Sequence, residues 1–194
     1  MREARVERHT KETSIVLALG LDGTGEMQGE TGIGFLDHML TLLARHGLLD
    51  LTIKAKGDLQ VDMHHLVEDT GIVLGQALKQ ALGDKRGIVR YGSAIVPMDE
   101  ALVLAAVDLG GRPYLSLRLE LRRKQIGDFD TELVEEFLRA LTVAAGMNLH
   151  LVQLDGRNTH HIVEGAFKAL ARALGQAVSR DPRVKGVPSS KGTL

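Results

Sequence analysis

The sequence predicts an α+β fold: two tandem repeats, each a mixed β-sheet with two helices on one face, packed helix layer to helix layer. Three observations predict it. Strand-like runs gather ahead of helical ones instead of alternating with them one for one, the pattern of helices layered on a sheet. The order is written twice, Glu12–Gly23 paralleling Glu100–Gly111 and Phe35–Gly47 paralleling Leu133–Ala145. Most tellingly, His64-His65-Leu66-Val67-Glu68 returns 96 positions later as His160-His161-Ile162-Val163-Glu164.

Each element has its own local reason. Arg2–His9 alternates charged and small residues and reads as an edge strand. Ser14–Leu21 is β-branched and aliphatic and ends at Asp22-Gly23, a turn signal. Gly23–Gly34 is glycine-rich and reads as an exposed loop. Phe35–Arg45 has helical apolar spacing and stops at Gly47, read as a left-handed terminator. Leu48–Ala55 is a strand, and Gly57-Asp58 turns into a helix that runs to about Leu82 and closes at Gly83-Asp84. From Val89 the order repeats, with strands at Glu100–Gly111, Tyr114–Leu121 and Leu149–Leu154, and helices at Leu133–Ala145 and Thr159–Ser179. The chain therefore reads as one domain of two repeats, about 1–88 and 89–181. The tail 182–194, with Pro182, Gly186, Pro188 and Gly192, reads as flexible unless something binds it.

Composition narrows the function. The 194 residues are 44% hydrophobic with a net charge of −1, enough for a sizeable core and without a charge bias toward nucleic acid or membrane. There is no cysteine, which excludes disulfides and thiolate chemistry, and aromatics at 3% argue against base-stacking surfaces. No long apolar run or signal segment appears, so the expected location is the cytoplasm.

The repeated pentapeptide is a metal-site signal. Residues three and four apart share a helix face, so Glu68 sides with His64 or His65, and Glu164 with His160 or His161. Val67, Leu74, Leu78 and Leu82 form the apolar arc of the first helix, and Val163, Leu170, Leu174 and Val178 that of the second. Each helix buries one side and offers its donors from the edge. The repeat pairs His38 with Glu136 and Ile72 with Lys168. Half one then supplies His38, His64, His65 and Glu68, and half two supplies Glu136, His160, His161 and Glu164. Two sets of four nitrogen-rich, sulfur-free donors suit two ions of Mn, Fe, Co, Ni or Zn. Arg90, Arg112, Lys168, Ser189, Ser190 and Lys191 are candidates for gripping an anion if the fold gathers them.

Gly34-Phe-Leu-Asp-His-Met-Leu40, Asp62-Met-His-His-Leu-Val-Glu-Asp69, Met98-Asp-Glu-Ala-Leu102, His160-His-Ile-Val-Glu164 and Pro188-Ser-Ser-Lys-Gly192 together resemble the imidazoleglycerol-phosphate dehydratase family, in its monofunctional form. The resemblance runs over nearly the whole chain. It implies a metal-dependent dehydratase of histidine biosynthesis, converting imidazole glycerol phosphate to imidazole acetol phosphate. It also implies a duplicated α+β fold and a cubic homo-oligomer of 24 subunits with sites between subunits. Two Mn²⁺ per site are implied, one held by His38, His65, Glu68 and His161, the other by His64, His160, Glu164 and residue 136. Family members often carry His where this chain has Glu136. Phosphate contacts are implied for Arg90, Arg112, Lys168, Ser189 and Lys191, and Glu12 and Glu164 are implied beside the reacting carbons, Glu164 moving protons with Glu12 assisting.

Overall fold

The computed structural model describes residues 2–194. The first half runs β1 (Glu3–His9), β2 (Thr13–Gly20), β3 (Met27–Glu30), α1 (Gly34–Gly47), β4 (Asp50–Gly57) and α2 (His64–Leu82). The second runs β5 (Tyr91–Met98), β6 (Ala101–Asp108), β7 (Tyr114–Arg118), a short hairpin of β8 (Gln125–Ile126) and β9 (Phe129–Asp130), α3 (Leu133–Ala145), β10 (Asn148–Asp155) and α4 (Thr159–Val178). The sheets have orders β1-β2-β4-β3 and β5-β6-β10-β7, with the last pair parallel and the others antiparallel in each. The two halves thus share one topology, and the duplication read from the sequence is a duplication of structure.

Alternation explains how each sheet faces its helices. Thr13, Ile15, Leu17 and Leu19 of β2 are buried, and so are Ala101, Val103, Ala105 and Val107 at the matching places on β6. A period of two puts such residues on one side of the sheet. The apolar arcs of α2 and α4 are buried throughout, from Val67 to Leu82 and from Val163 to Val178. One polar tie is specific to the first half. Asp69, buried on α2, accepts from Arg8 Nε on β1 (2.8 Å) and from the Thr13 hydroxyl on β2.

Across the helix layers, α2 packs along α3 and α1 along α4, so each contact joins one half to the other. Glycine permits the approach. A Cβ on Gly75 of α2 would stand 2.6 Å from the Leu141 carbonyl oxygen and 2.7 Å from the Ala144 Cβ of α3. A Cβ on Gly175 of α4 would stand 2.7 Å from the carbonyl oxygen of Gly47 on α1.

The structure departs from the sequence reading in three places. The glycine-rich stretch is not all loop: β3 pairs Met27–Glu30 in parallel with Leu51–Lys54. Its residues carry no apolar alternation, and the ladder with β4 decides it. Gly47 is the last residue of α1 and not its left-handed terminator; Leu48 takes that conformation at φ 54°. Gly47 is small because α4 passes it. The third strand of the second half ends at Arg118, short of Leu121, and the β8–β9 hairpin after it has no counterpart in the first half. The tail is laid against the body of the protein: Gly87 N–H donates to the Gly186 carbonyl (2.9 Å) and Arg90 Nη1 to the Pro188 carbonyl (2.8 Å). Among the described residues no helix is long and apolar enough to cross a membrane.

Close packing at Gly75 gives a test. Alanine favours a helix interior by about 1 kcal/mol over glycine. A methyl forced against backbone in a packed layer costs about 1–3 kcal/mol, and the contact is too short to relax by rotating a side chain. Gly75→Ala should therefore lower the urea midpoint; an unchanged or higher midpoint would contradict the close approach.

Candidate metal centre

The histidine pairs stand in the first turns of α2 and α4, and each start is fixed alike. Asp62 accepts from the His64 backbone N–H (2.8 Å), and Asn158 accepts from the His160 N–H (3.0 Å). Asp62 and Asn158 are themselves 96 positions apart. Within each pair the two rings diverge at 85° with centroids 6.2 Å apart, in both halves. Consecutive residues on a helix cannot share a face, so each pair sends its imidazoles in different directions.

The first turn of α1 carries His38. Asp37 beside it accepts from the backbone N–H and the hydroxyl of Thr31, both at 2.7 Å, and so holds that turn. Because α1 packs on α4, His38 meets the second histidine helix. His38 Nε2 lies 3.5 Å from Glu164 Oε1, and His160 Nε2 lies 3.6 Å from Glu164 Oε2. One donor atom from each of the three residues falls within 4.8 Å of the others, the single such set among the described residues. Donors bonded to a divalent ion at about 2.0–2.2 Å stand about 3–4.5 Å apart, so the spacing fits an ion held between two imidazoles and a carboxylate. This grouping differs from the one the resemblance implied, in which His38 sat with His65, Glu68 and His161. The implied sets belong to sites between subunits, and the cluster seen here lies within one chain.

Lys168 closes the cluster, its Nζ 3.0 Å from Glu164 Oε1 and 3.2 Å from Met98 Sδ. Burial works against ionising Glu164, but the Lys168 ammonium with His38 and His160 outweighs it and holds the carboxyl below its ordinary value. The wall is aromatic. Phe35 meets the His160 ring edge-on at 5.5 Å and packs on Phe129 at 5.0 Å.

The other two imidazoles, His65 and His161, have carboxylate partners that the sequence did not suggest. His65 Nδ1 donates to Asp58 Oδ2 (3.0 Å), with Glu12 Oε2 3.9 Å away. His161 Nδ1 donates to Glu100 Oε2 (2.7 Å). These contacts raise the affinity of both rings for a proton, Asp58 acting on His65 and Glu100 on His161. In return His161, helped by the backbone amide of Asn158, holds the Glu100 carboxyl down at about 2. Glu100 was legible in one respect, since it aligns with Glu12 in the repeat. Asp58 looked only like a turn residue. Glu68 and Glu136 are half-buried on α2 and α3.

The anion candidates are partly gathered. Arg90, Arg112, Ser189, Ser190 and Lys191 line one cleft of about 620 Å³, while Lys168 belongs to the cluster at Glu164. Arg90 is the pivot of the cleft. It holds a left-handed backbone conformation (φ 75°), binds both oxygens of Asp108 at 2.7 and 3.1 Å, and donates to the Pro188 carbonyl of the tail. Lys85, not suggested by the sequence, is buried in the same wall, donating to the Leu109 carbonyl at 2.8 Å, and its burial pushes its pKa down.

A duplicated α+β chain whose two halves contribute imidazole and carboxylate groups to one cluster defines the class. Comparison with known proteins makes it specific. Residues 31–174 match the model of the family described as imidazoleglycerol-phosphate dehydratase. The protein of that name from Desulforamulus reducens is 62% identical over 193 residues, covering 100% of this chain and 98% of that one. The one from Moorella thermoacetica is likewise 62% identical over 193 residues, with the same coverage. Among solved structures, the Staphylococcus aureus enzyme superposes with a TM-score of 0.84 at 43% identity, over 92% of this chain and 99% of that one. The Pyrococcus furiosus enzyme, solved with (S)-C348, gives 0.83 at 40% identity, over 97% and 100%. The chain belongs to the imidazoleglycerol-phosphate dehydratase family, and by that membership it is a hydro-lyase.

The Lys168–Glu164 pair can be tested without any ion. Lys168→Ala leaves a nine-tenths buried carboxylate with only two imidazoles nearby. A charge-assisted contact of this kind contributes about 1.5–3 kcal/mol. Urea unfolding of chelator-treated protein should show a loss of that order, and a much smaller loss when the same change is made on Glu164→Gln. Equal losses in both backgrounds would mean that Lys168 acts elsewhere.

Proposed function

We propose that this chain is a metal-dependent enzyme that dehydrates imidazole glycerol phosphate to imidazole acetol phosphate in histidine biosynthesis, in the cytoplasm, with two Mn²⁺ per active site. The observation that carries the reading is the convergence of His38, His160 and Glu164 from the two halves, in a chain of this family. These three would hold one ion. Glu136, His64 and Glu68, at the matching places on α3 and α2, form no such cluster among the described residues of the chain and would hold the other only once a neighbouring copy completes the set. His65 and His161, whose rings turn away from those sets, would each complete a set on a neighbouring copy. On this reading the active form is a homo-oligomer, the family's 24-subunit assembly, with sites between subunits.

The chemistry suits these residues. The hydroxyl leaves the carbon that bears the ring, because only there can ring electrons push it out. The proton leaves the next carbon, and the resulting enol takes up a proton at the ring-bearing carbon to become the ketone, with water as the other product. When bound, the metal ions supply Lewis-acid polarisation of the imidazole nitrogens. Glu164, kept ionised by Lys168, is suited to accept the carbon-bound proton, with Glu12 as the assisting carboxylate. Arg90, Arg112, Ser189, Ser190 and Lys191 would grip the phosphate together with Lys168. Charge-assisted contacts of about 1.5–3 kcal/mol each anchor the far end of the substrate and so position the ring.

Treatment with a chelator should abolish turnover, and added Mn²⁺ should restore it; full activity in metal-stripped protein would refute the reading. His160→Ala should lower kcat/KM by at least about a hundredfold, the lower bound for losing a group that acts in the transition state. Truncation after Val187, which removes Ser189, Ser190 and Lys191, should raise KM at least about tenfold, the equivalent of one lost charge-assisted contact. Unchanged KM would remove the tail from the phosphate site.

A further inference from the structure

His65 and His161 differ from the other site histidines in having Nδ1 already engaged by a carboxylate, at 3.0 Å from Asp58 and 2.7 Å from Glu100. An ionised carboxylate can only accept, so Nδ1 must be the nitrogen that carries the proton. In the neutral ring this leaves the lone pair on Nε2, facing away from the carboxylate. The Asp99 carboxylate stands 3.7 Å from His161 Nε2, beyond hydrogen-bond reach. We propose that Asp58 and Glu100 are positioning residues, each fixing the tautomer and direction of one ring so that Nε2 is the nitrogen offered to a metal ion. The inference rests on the reading of His65 and His161 as ligands, and it names residues that the family resemblance did not.

Two features argue that the contacts are more than incidental. The halves reach the same arrangement from non-equivalent positions. Asp58 follows β4, whereas Glu100 precedes β6 and aligns with Glu12. A passive by-product of the duplication would use matching positions. Each carboxylate is also committed to its histidine. Asp58 Oδ1 is buried without a donor, so His65 is what Asp58 has in exchange for its desolvation. Glu100 is aimed by the backbone N–H groups of Asn158 (2.8 Å) and Arg157 (3.3 Å) to its Oε1, which turns Oε2 to the ring. Carboxylate–imidazole–metal arrays of this kind hold ring orientation and raise ligand basicity.

Asp58→Asn and Glu100→Gln keep shape and remove the constraint, since an amide can donate to Nδ1 and move the ring proton to Nε2. Mn²⁺ binding to the full-length protein can be followed through the electron paramagnetic resonance signal of free aqueous Mn²⁺. Each variant should weaken binding about 10–100-fold while the melting temperature of the metal-free protein stays put. The decisive readout is a double-mutant cycle. On a His65→Ala background Asp58→Asn should have less than about a twofold effect, and Glu100→Gln likewise on His161→Ala. Variants within twofold of wild type, or effects undiminished in the alanine backgrounds, would overturn the proposal. Should Asp58→Asn fail to fold, the Glu100–His161 cycle decides alone, because Glu100 is one-third exposed and glutamine keeps its acceptor for the Asn158 and Arg157 amides. A wild-type chain that binds no Mn²⁺ would instead defeat the proposed function, so the two failures are distinct.

Discussion

Everything at the candidate site depends on the contact between the two helix layers. His38 belongs to the first half and His160 and Glu164 to the second, so no single repeat holds the cluster. It exists because α1 lies on α4, with glycine at 47 and 175 where the backbones pass. The same contact on the other side, α2 on α3, uses glycine at 71 and 75. Large side chains at these points would separate the layers, and donors at the first turn of one helix would lose those of its neighbour. Packing of small residues in the interior thus fixes the separation of polar groups at the rim.

That arrangement creates an electrostatic problem which the site solves locally. Glu164 is a carboxylate at the edge of an apolar layer, nine-tenths removed from water. Burying a charge is tolerable only when it is paired and hydrogen-bonded. Lys168, one turn on, supplies the opposite charge, and two imidazoles approach the two oxygens separately. The ion pair and the donor cluster are therefore the same atoms. A group that holds the carboxylate ready for a cation in the metal-free protein also keeps it ionised at neutral pH.

Much of this was legible because the chain states it twice. The repeated pentapeptide, the matched inward residues of β2 and β6 and the apolar arcs of α2 and α4 follow from side-chain periodicity, which local sequence encodes. What escaped the sequence was set by contacts between distant segments. Met27–Glu30 is a strand through β4, and nothing in those four residues says so. Gly47 looked like a terminator because a glycine at a helix end usually is one, yet its smallness serves α4. The pairing of His38 with His160 and Glu164 needs the order in which helices pack, which equal spacing in two repeats leaves open. Asp58 and Glu100 stayed hidden because carboxylates beside turns are common, and only the folded chain brings them to His65 and His161.

The duplication repeats the sheet order and the helix packing but not the chemistry, and two of the differences fall at the site. Position 168 is lysine where the first half has Ile72, and position 38 is histidine where the second half has Glu136. One end thus combines two imidazoles, a carboxylate and an ammonium; the matching positions of the other half, Glu136, His64, Glu68 and Ile72, carry one imidazole, two carboxylates and an aliphatic residue, and form no such cluster among the described residues. A carboxylate-rich set without a resident cation presents more negative charge to an incoming ion than a set already half neutralised. The two ends therefore offer unlike charge environments to a divalent cation, one already half neutralised and the other not.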